Sequence, residues 1–397
     1  MPVVITPKIL LPKEEINLNS WAVIACDQFT SEPEYWRELK KLVGESPSTL
    51  HMILPEVFLE LDNRVKIKTA NRMMETYYQS EIFTEQECMV LVERKTPFCE
   101  RRLGLILAID LESYEFESGK TAPIIASEHT VAERIPPRVE IREKAPIELP
   151  HVLVLIDDEK SEIINHLYRI KREFPVLYDF ELNMGGGHLK GYKITDTDHI
   201  IHQLMASAET IKMVVGDGNH SLASAKVCWE RTKGSLSDKD YHTHPARFAL
   251  VEVVSLFDEG LTFEPIHRVI FNTKKDFLKK FQKTINGQEF TKFLDGNKTK
   301  FINIPSNPFI AIKQIQDFLD EYVKTHKGCK IDYVHGEDSL EKVIKENKKA
   351  IGIMMPHLKR DELFPYVKKF GALPRKSFSL GEAIEKRYYM ECRRIVK

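Results

Sequence analysis

The stretch from Ile211 to Trp229 constrains the fold more than any other, because the period of its apolar residues changes inside it. Ile211, Met213, Val214 and Val215 form a short apolar run, which predicts a buried strand. Leu222, Ala225, Cys228 and Trp229 then follow at helical spacing. Between the two lies Gly216-Asp217-Gly218-Asn219-His220-Ser221, so the chain turns from strand to helix within a few residues. Glycine lets a backbone approach a ligand closely, and a helix start offers unpaired N–H groups and a partial positive charge. Two readings of these residues stand side by side. In one, Gly216, Gly218, Asn219 and Ser221 hold an anionic group while Asp217 and His220 act on it. In the other, Asp217 or Asn219 merely caps a helix whose first turn carries His220 on the surface.

Similar apolar runs predict strands at 21–25, 88–93, 103–111, 151–156 and 248–256, and helical spacing recurs at 32–43, 62–80, 159–171 and 197–206. From Thr273 onward, Lys-rich helices alternate with short strands, which points to an α/β unit of its own. The expected class is therefore α+β (mixed α/β), with central mixed sheets, flanking helices and a C-terminal α/β unit. The expected division is a main domain, 1–270, carrying the corner, and a subdomain, 271–397, whose tail can return to the main domain.

Composition narrows the function by exclusion. A net charge of −1 over 397 residues gives no bulk attraction for a nucleic-acid backbone, so no nucleic-acid partner is expected. The six cysteines include no C-x-x-C pair, which argues against a zinc knuckle or a disulfide frame and for the reducing cytoplasm. No H-E-x-x-H or comparable frame appears, so no metal site is read from the residues. No apolar run reaches 18 residues, so no membrane span is expected, and no signal peptide is recognised. The expected partner is a small, anionic molecule, with a homo-oligomer open.

Four other segments carry chemistry-bearing residues. Asp27 follows the 21–25 run, a position where α/β proteins place ligand contacts, although it can equally cap the next turn. Ser127-Glu128-His129-Thr130 closes another apolar run, and Glu128 in a dry cleft would serve as a general base; exposed strand-end polarity is the plainer alternative. Arg138 and Arg142 lie at i and i+4 after Pro136-Pro137, which suits a phosphate, while Glu140, Glu143 and Glu148 nearby suit ion pairs. His267-Arg268 interrupts an apolar strand and needs partners or a cleft. Near the end, Arg375-Lys376-Ser377 has the composition of an anion-binding turn or of an exposed loop. Gly185-Gly186-Gly187 lacks a following G-K-[ST] and reads as a hairpin tip.

These stretches, in this order, resemble the bacterial and archaeal family called domain of unknown function 1015. The family's usual corner is Asp-Gly-His-His-Arg before a small-residue helix. Asp217, Gly218 and His220 match it, with Asn219 in place of the first His and Ser221 in place of the Arg. Asp27, Glu128 in Ser-Glu-His-Thr, His267-Arg268 and Pro374-Arg375-Lys376-Ser377 are the supporting matches. The corner is also similar to the Asp-Gly-His motif of the free serine kinases, within the ParB/sulfiredoxin-like superfamily. That similarity implies phosphoryl transfer to a small serine-like metabolite, with ATP or ADP and Mg²⁺ as cofactors. It implies that His220 and the 218–221 amides hold phosphates and that Asp217 binds a divalent cation or orients a hydroxyl. Glu128 would be the base, and Arg138, Arg268 or Arg375 would neutralise charge. At Ser221, either another cation serves or the chemistry differs. The alternative reading is a non-catalytic nucleotide- or metabolite-binding regulator; a ParB-like DNA-binding protein is disfavoured by the charge.

Overall fold

The computed structural model describes every residue except 1, 56, 58–62, 118, 131–134, 150, 161, 207–208, 297 and 348, and the side chains of Asp27 and Ser31. Its fold is α+β, built on mixed sheets with flanking helices. The chain divides into two compact units, Met1–Leu261 with Glu382–Lys397, and Thr262–Gly381. The division falls at 261/262 rather than 270, because the Phe263–Phe271 strand pairs with Lys330–His335 and Ala350–Ile353 of the second unit.

The first unit is organised on one large sheet. Its strands run in the order Val176–Leu182, Gly187–Ile194, Met89–Lys95, Arg102–Asp110, Phe248–Ser255, Leu153–Ile156, Met213–Asp217, Ile124–Ala126 and Tyr114–Glu115. Both faces are covered. Val90, Val92, Ile106 and Leu250 pack into one core with Trp21, Trp36 and Tyr178, while Leu91, Leu105, Leu107, Val251 and Val253 pack into another with Leu222 and Trp229. The period-2 alternation thus sorts apolar side chains between two cores, which is why these strands read as near-continuous apolar runs. The Gly-rich tip at 183–186 joins the first two strands in a hairpin, as expected.

The 21–25 run is not a strand in this sheet. Asn17 caps a short helix, Leu18–Trp21, with its side chain accepting the Asn19 N–H at 2.9 Å. The following residues run extended and make a single bridge, Val23 to Tyr389. The polar cap sets the local geometry, while burial of Trp21 to Ala25 proceeds as the apolar pattern requires. The 159–171 helix is shorter than its spacing suggests, Ile164–Arg169. Asp158 instead ties the loop before it, accepting from the Glu162 and Ile163 N–H groups at 3.0 and 3.1 Å.

The second unit centres on a sheet ordered Lys298–Ile304, Glu289–Asp295, Ala350–Ile353, Phe263–Phe271 and Lys330–His335, with Phe378–Leu380 also pairing to Phe263–Phe271. Among the described residues, no helix of either unit is long and apolar enough to cross a membrane.

Candidate functional site

The corner lies where three strand ends meet. Met213–Asp217 runs parallel to Ile124–Ala126, with Val215 opposite Ala126, so both chains leave the sheet on the same side. Beyond Ala126 the chain bends, and Ser127 is tied to the start of the corner helix by a hydrogen bond from Asn219. On its other side the strand pairs antiparallel with Leu153–Ile156, and the register shifts between Val215 and Asp217, at Gly216. The sequence-separated clusters at 127–129 and 216–221 are thereby brought together.

Gly218 makes the turn. Its φ of 82° is left-handed, and a Cβ there would lie 3.1 Å from both Cα and Cγ2 of Val152. Helix Asn219–Lys233 starts immediately after, with the Leu222 N–H reaching the Gly218 carbonyl at 3.0 Å. The N–H groups of 219–221 precede that first intrahelical donor. Neither Asp217 nor Asn219 caps this helix through its side chain, because the N-cap is Gly218 itself. One apolar side of the helix, Leu222, Ala225 and Trp229, seats in the core, which fixes the direction of its N-terminus.

The side chains around this turn are cross-braced. Asp217 accepts the Gly218 N–H at 2.8 Å through Oδ1, and its Oδ2 stands 3.3 Å from Lys386 Nζ. Asn219 Nδ2 donates to Ser127 Oγ at 3.3 Å, joining the two strand ends, while its Oδ1 is buried without a hydrogen-bond partner among the described residues. Ser224 Oγ donates to the His220 carbonyl at 2.7 Å. Glu128 and His220 are half-buried and His129 is exposed. Asp27 opens the turn Asp27–Ser31, but its side chain lies outside the described residues.

Lys386 carries no sequence signal beyond being a charge in the aromatic run Lys386-Arg387-Tyr388-Tyr389, and the sequence reading missed it. Its place is set from beneath. The fully buried Arg94 donates to the carbonyls of Ile384, Glu385 and Lys386 at 2.7, 2.9 and 2.7 Å, and Arg102 donates to that of Glu385 at 3.0 Å. Arg387 then turns to Glu252 (2.7 Å) and Glu391 (2.6 Å), all three buried. Glu252 pairs in register with Leu153, which pairs with Asp217. Successive tail residues thus meet carboxylates in one row of the sheet, two strands apart.

A cleft of about 120 Å³ opens against the first turn of the corner helix, lined by Ser221, Ser224, Arg138, Arg142, His151 and Tyr389, with apolar residues opposite. Arg142 is bonded to Glu148 at 2.6 Å. Glu148 also takes Arg393 Nε at 2.6 Å and the Leu250 N–H at 2.9 Å. Burial alone would raise the Glu148 pKa, but Arg393, Arg142 and that N–H together hold it below the ordinary carboxylate value. Arg142 is thus half-buried and paired with a buried carboxylate rather than with one on the surface.

The remaining candidates belong to the second unit. Arg268 is fully buried, donates to Gln316 Oε1 at 2.8 Å and to the Ile266 carbonyl, and lies 4.8 Å over the Tyr333 ring. Arg375 grips Asp320 through both terminal nitrogens, at 2.7 and 3.2 Å. Ser377 Oγ donates to the Pro374 carbonyl at 2.7 Å, and Lys376 takes a left-handed φ of 57°.

His267 Nδ1 accepts the Met355 N–H at 3.0 Å, and its Nε2 is buried without a partner among the described residues. Burial drives its pKa from 6.5 down to about 4, Glu337 opposing and His357, Arg268 and Lys292 reinforcing. The native unit keeps this ring neutral, whereas the unfolded chain takes up a proton below about pH 6.5. Stability of this unit is therefore expected to be full above pH 6.5 and to fall by on the order of 2–3 kcal/mol as pH drops toward 4. Urea unfolding at pH 7 and pH 4.5, with His267→Asn flattening the difference, checks this.

The family model described as "Protein of unknown function (DUF1015)" matches residues 8–350. The chain belongs to the DUF1015 family. No curated protein matches it. Solved structures similar to this DUF1015 chain include a free serine kinase in complex with AMP, at 10% identity and a TM-score of 0.42, covering 72% of this chain and 90% of that one. A conserved hypothetical protein from Pyrococcus furiosus also matches, at 10% identity and a TM-score of 0.38, covering 72% and 94%. SbnI with C-terminal truncation from Staphylococcus aureus matches at 10% and 0.39, covering 70% and 82%. Likeness this weak assigns no role to any residue of the DUF1015 chain.

Proposed function

We propose that this DUF1015 protein binds a phosphate-bearing ligand at the 216–221 corner and transfers a phosphoryl group from a nucleotide to a small serine-like metabolite. The observation that carries this reading is the left-handed Gly218, which starts a helix beside the Lys386 ammonium at Asp217, with the helix tied through Asn219 to Ser127, the neighbour of Glu128. Backbone N–H groups and a fixed cation are the elements that stabilise a transferring phosphoryl group. The buried, unpartnered Asn219 Oδ1 supplies an acceptor for a ligand donor beside them.

In this reading the 219–221 amides and His220 hold the phosphates, and Lys386 offsets their charge. The acceptor hydroxyl oxygen attacks the terminal phosphorus, a new P–O bond forms, and the bond from that phosphorus to its bridging oxygen breaks. The nucleotide leaves with the electron pair, and the hydroxyl proton passes to the Glu128 carboxylate. Among the described residues no group of three His, Cys, Asp or Glu side chains is gathered to hold a metal. Asp217 fits the weaker requirement of Mg²⁺, which commonly enters with phosphates and meets one or two carboxylates.

The test is phosphorus NMR of the protein with ATP or ADP, Mg²⁺ and an amino-acid panel. Transfer is expected, falling at least about 10²-fold in Glu128→Ala and in His220→Ala. Nucleotide binding with no turnover of any acceptor would favour a regulator, a reading that Ser221, a hydroxyl rather than a guanidinium at the helix start, supports. Absence of nucleotide binding would sink both.

A further inference from the structure

The net charge of −1 conceals two opposed halves. The first unit holds 35 lysines and arginines against 45 aspartates and glutamates, whereas Thr262–Gly381 holds 23 against 14. At about 0.1 M salt, charges more than roughly 10 Å away are largely screened. A polyanion therefore responds to the local surface rather than to the sum over the chain.

The positive surplus of the second unit gathers at one end of its sheet. Lys330, Phe271 and Ala350 stand side by side on three neighbouring strands, with Phe271 paired to both of the others. The segments at these strand ends are tied together. The Asn272 N–H reaches the Lys349 carbonyl at 3.0 Å, and Asn272 Nδ2 reaches that of Gly328 at 3.1 Å. The Lys274 N–H donates to Tyr322 Oη at 3.1 Å, which brings in the last turns of helix Pro308–Thr325. Segments 272–276, 324–330 and 347–349 thus meet. They present Lys274, Lys275, Lys324, Lys327, Lys330 and Lys349, all exposed and none in an ion pair among the described residues. The acid in these segments, Asp276, is held by Lys280 at 2.7 Å, while Glu321 and Glu346 flank them.

The other residue types of the three segments narrow the partner. They contain no large aliphatic residue and no arginine, and Cys329 is buried. Peripheral membrane binding inserts apolar side chains, and protein interfaces favour aromatic residues and arginine over lysine. The ring in these segments, His326, is already stacked on Tyr322 at 3.8 Å, which leaves no series of open rings for unpaired bases. The Asn272 and Asn347 amides donate to backbone carbonyls, so they do not read base edges. Lysine ammonium groups remain, and these meet phosphate as point charges.

We propose that this basic pole docks on the phosphate backbone of duplex nucleic acid without regard to sequence. A duplex offers one negative charge per roughly 1.7 Å of its axis, a density that six clustered lysines complement. The inference is independent of the phosphoryl-transfer reading of the corner.

Fluorescence anisotropy of the full-length protein with labelled DNA duplexes of about 20 base pairs, in two unrelated sequences, tests it. Micromolar binding is expected at about 50 mM salt, equal for both sequences, with a slope of log K against log salt of about −4 to −5. Lys327→Gln with Lys330→Gln, and separately Lys274→Gln with Lys275→Gln, is expected to flatten the slope by about 2 and to weaken binding at least about tenfold. Lys313→Gln with Lys359→Gln removes the same charge elsewhere in the unit and is expected to bind like the parent. Thermal melts matching the parent show that the variants are folded. No binding at about 50 mM salt, a salt-independent affinity, or equal losses in the pole and control pairs overturns the proposal. Tighter binding of a single strand of the same length also overturns it, as does tighter binding of phosphatidylserine vesicles, which would assign the pole to a lipid surface.

Discussion

Replacing Arg387 with Met is expected to cost about 3–5 kcal/mol of stability at pH 7, because two carboxylates lose their buried cation at once. Glu252 and Glu391 stand 2.7 and 2.6 Å from this guanidinium, and the three side chains are 0–2% exposed. Tyr178 Oη still donates to Glu391, which softens only one of the two losses. The fold has made room for the arrangement: a Cβ on Gly104 would lie 2.2 Å from Glu252 Oε1. A methionine of similar reach fills the volume but supplies neither a charge nor a donor to the carboxylates. Urea unfolding of R387M against the parent measures the loss. Adding Glu252→Gln to R387M is expected to recover part of it, since the amide carries no charge to strand; no recovery in that double-mutant cycle would mean the two groups do not act as a pair.

Gly218→Ala is the second change with a large expected effect, and it acts on both fold and site. An L side chain pays roughly 1–2 kcal/mol for a left-handed φ. The added Cβ would also press on the Val152 backbone at 3.1 Å, a contact that backbone cannot easily yield, and crowding of this kind typically costs roughly 1–3 kcal/mol. Together these amount to about 2–5 kcal/mol by denaturant unfolding. Relief of the strain would tilt the first turn of helix Asn219–Lys233 and misalign the 219–221 amides, so phosphate or ADP binding is expected to weaken beyond what the loss of folded protein explains. Binding unchanged in the folded fraction of G218A would show that the corner does not grip the ligand through its backbone.

Both variants bear on the tail as much as on the corner. Arg387 and Lys386 are neighbours in sequence, and the carbonyls of 384–386 are held by Arg94 and Arg102. Loosening Arg387 should therefore loosen the ammonium at Asp217. In R387M the affinity for ADP is expected to fall with the same sign as in Lys386→Met, a link that direct contact with the ligand would not require.

Much of this was legible in the residues alone. The change of period between Val215 and Leu222, with glycines between, dictates a strand, a tight turn and a helix, because few other conformations bury both apolar sets. The same local logic locates most strands of the large sheet and the alternating elements of the second unit. It falters where a polar cap outweighs an apolar run, as at Asn17, which opens a short helix that takes in Trp21. It also falters where an element joins a partner far away in sequence, as with Phe263–Phe271.

The meeting of residues is a different matter. Periodicity marks Glu128 and Asp217 as ends of apolar runs, yet only the parallel pairing of Ile124–Ala126 with Met213–Val215 and the Asn219–Ser127 hydrogen bond bring their segments together. Two arginines four residues apart look equivalent in sequence. The fold sets both against the cleft with Ser221 and gives the buried Glu148 to Arg142. Lys386, 169 positions beyond Asp217 in the chain, reaches that carboxylate because buried guanidiniums capture the tail carbonyls. Local structure follows from neighbouring residues, whose apolar spacing and turn chemistry act over a few positions. Which charges face one another depends on long-range strand pairing and buried hydrogen bonds, and those exist only once the chain has closed on itself.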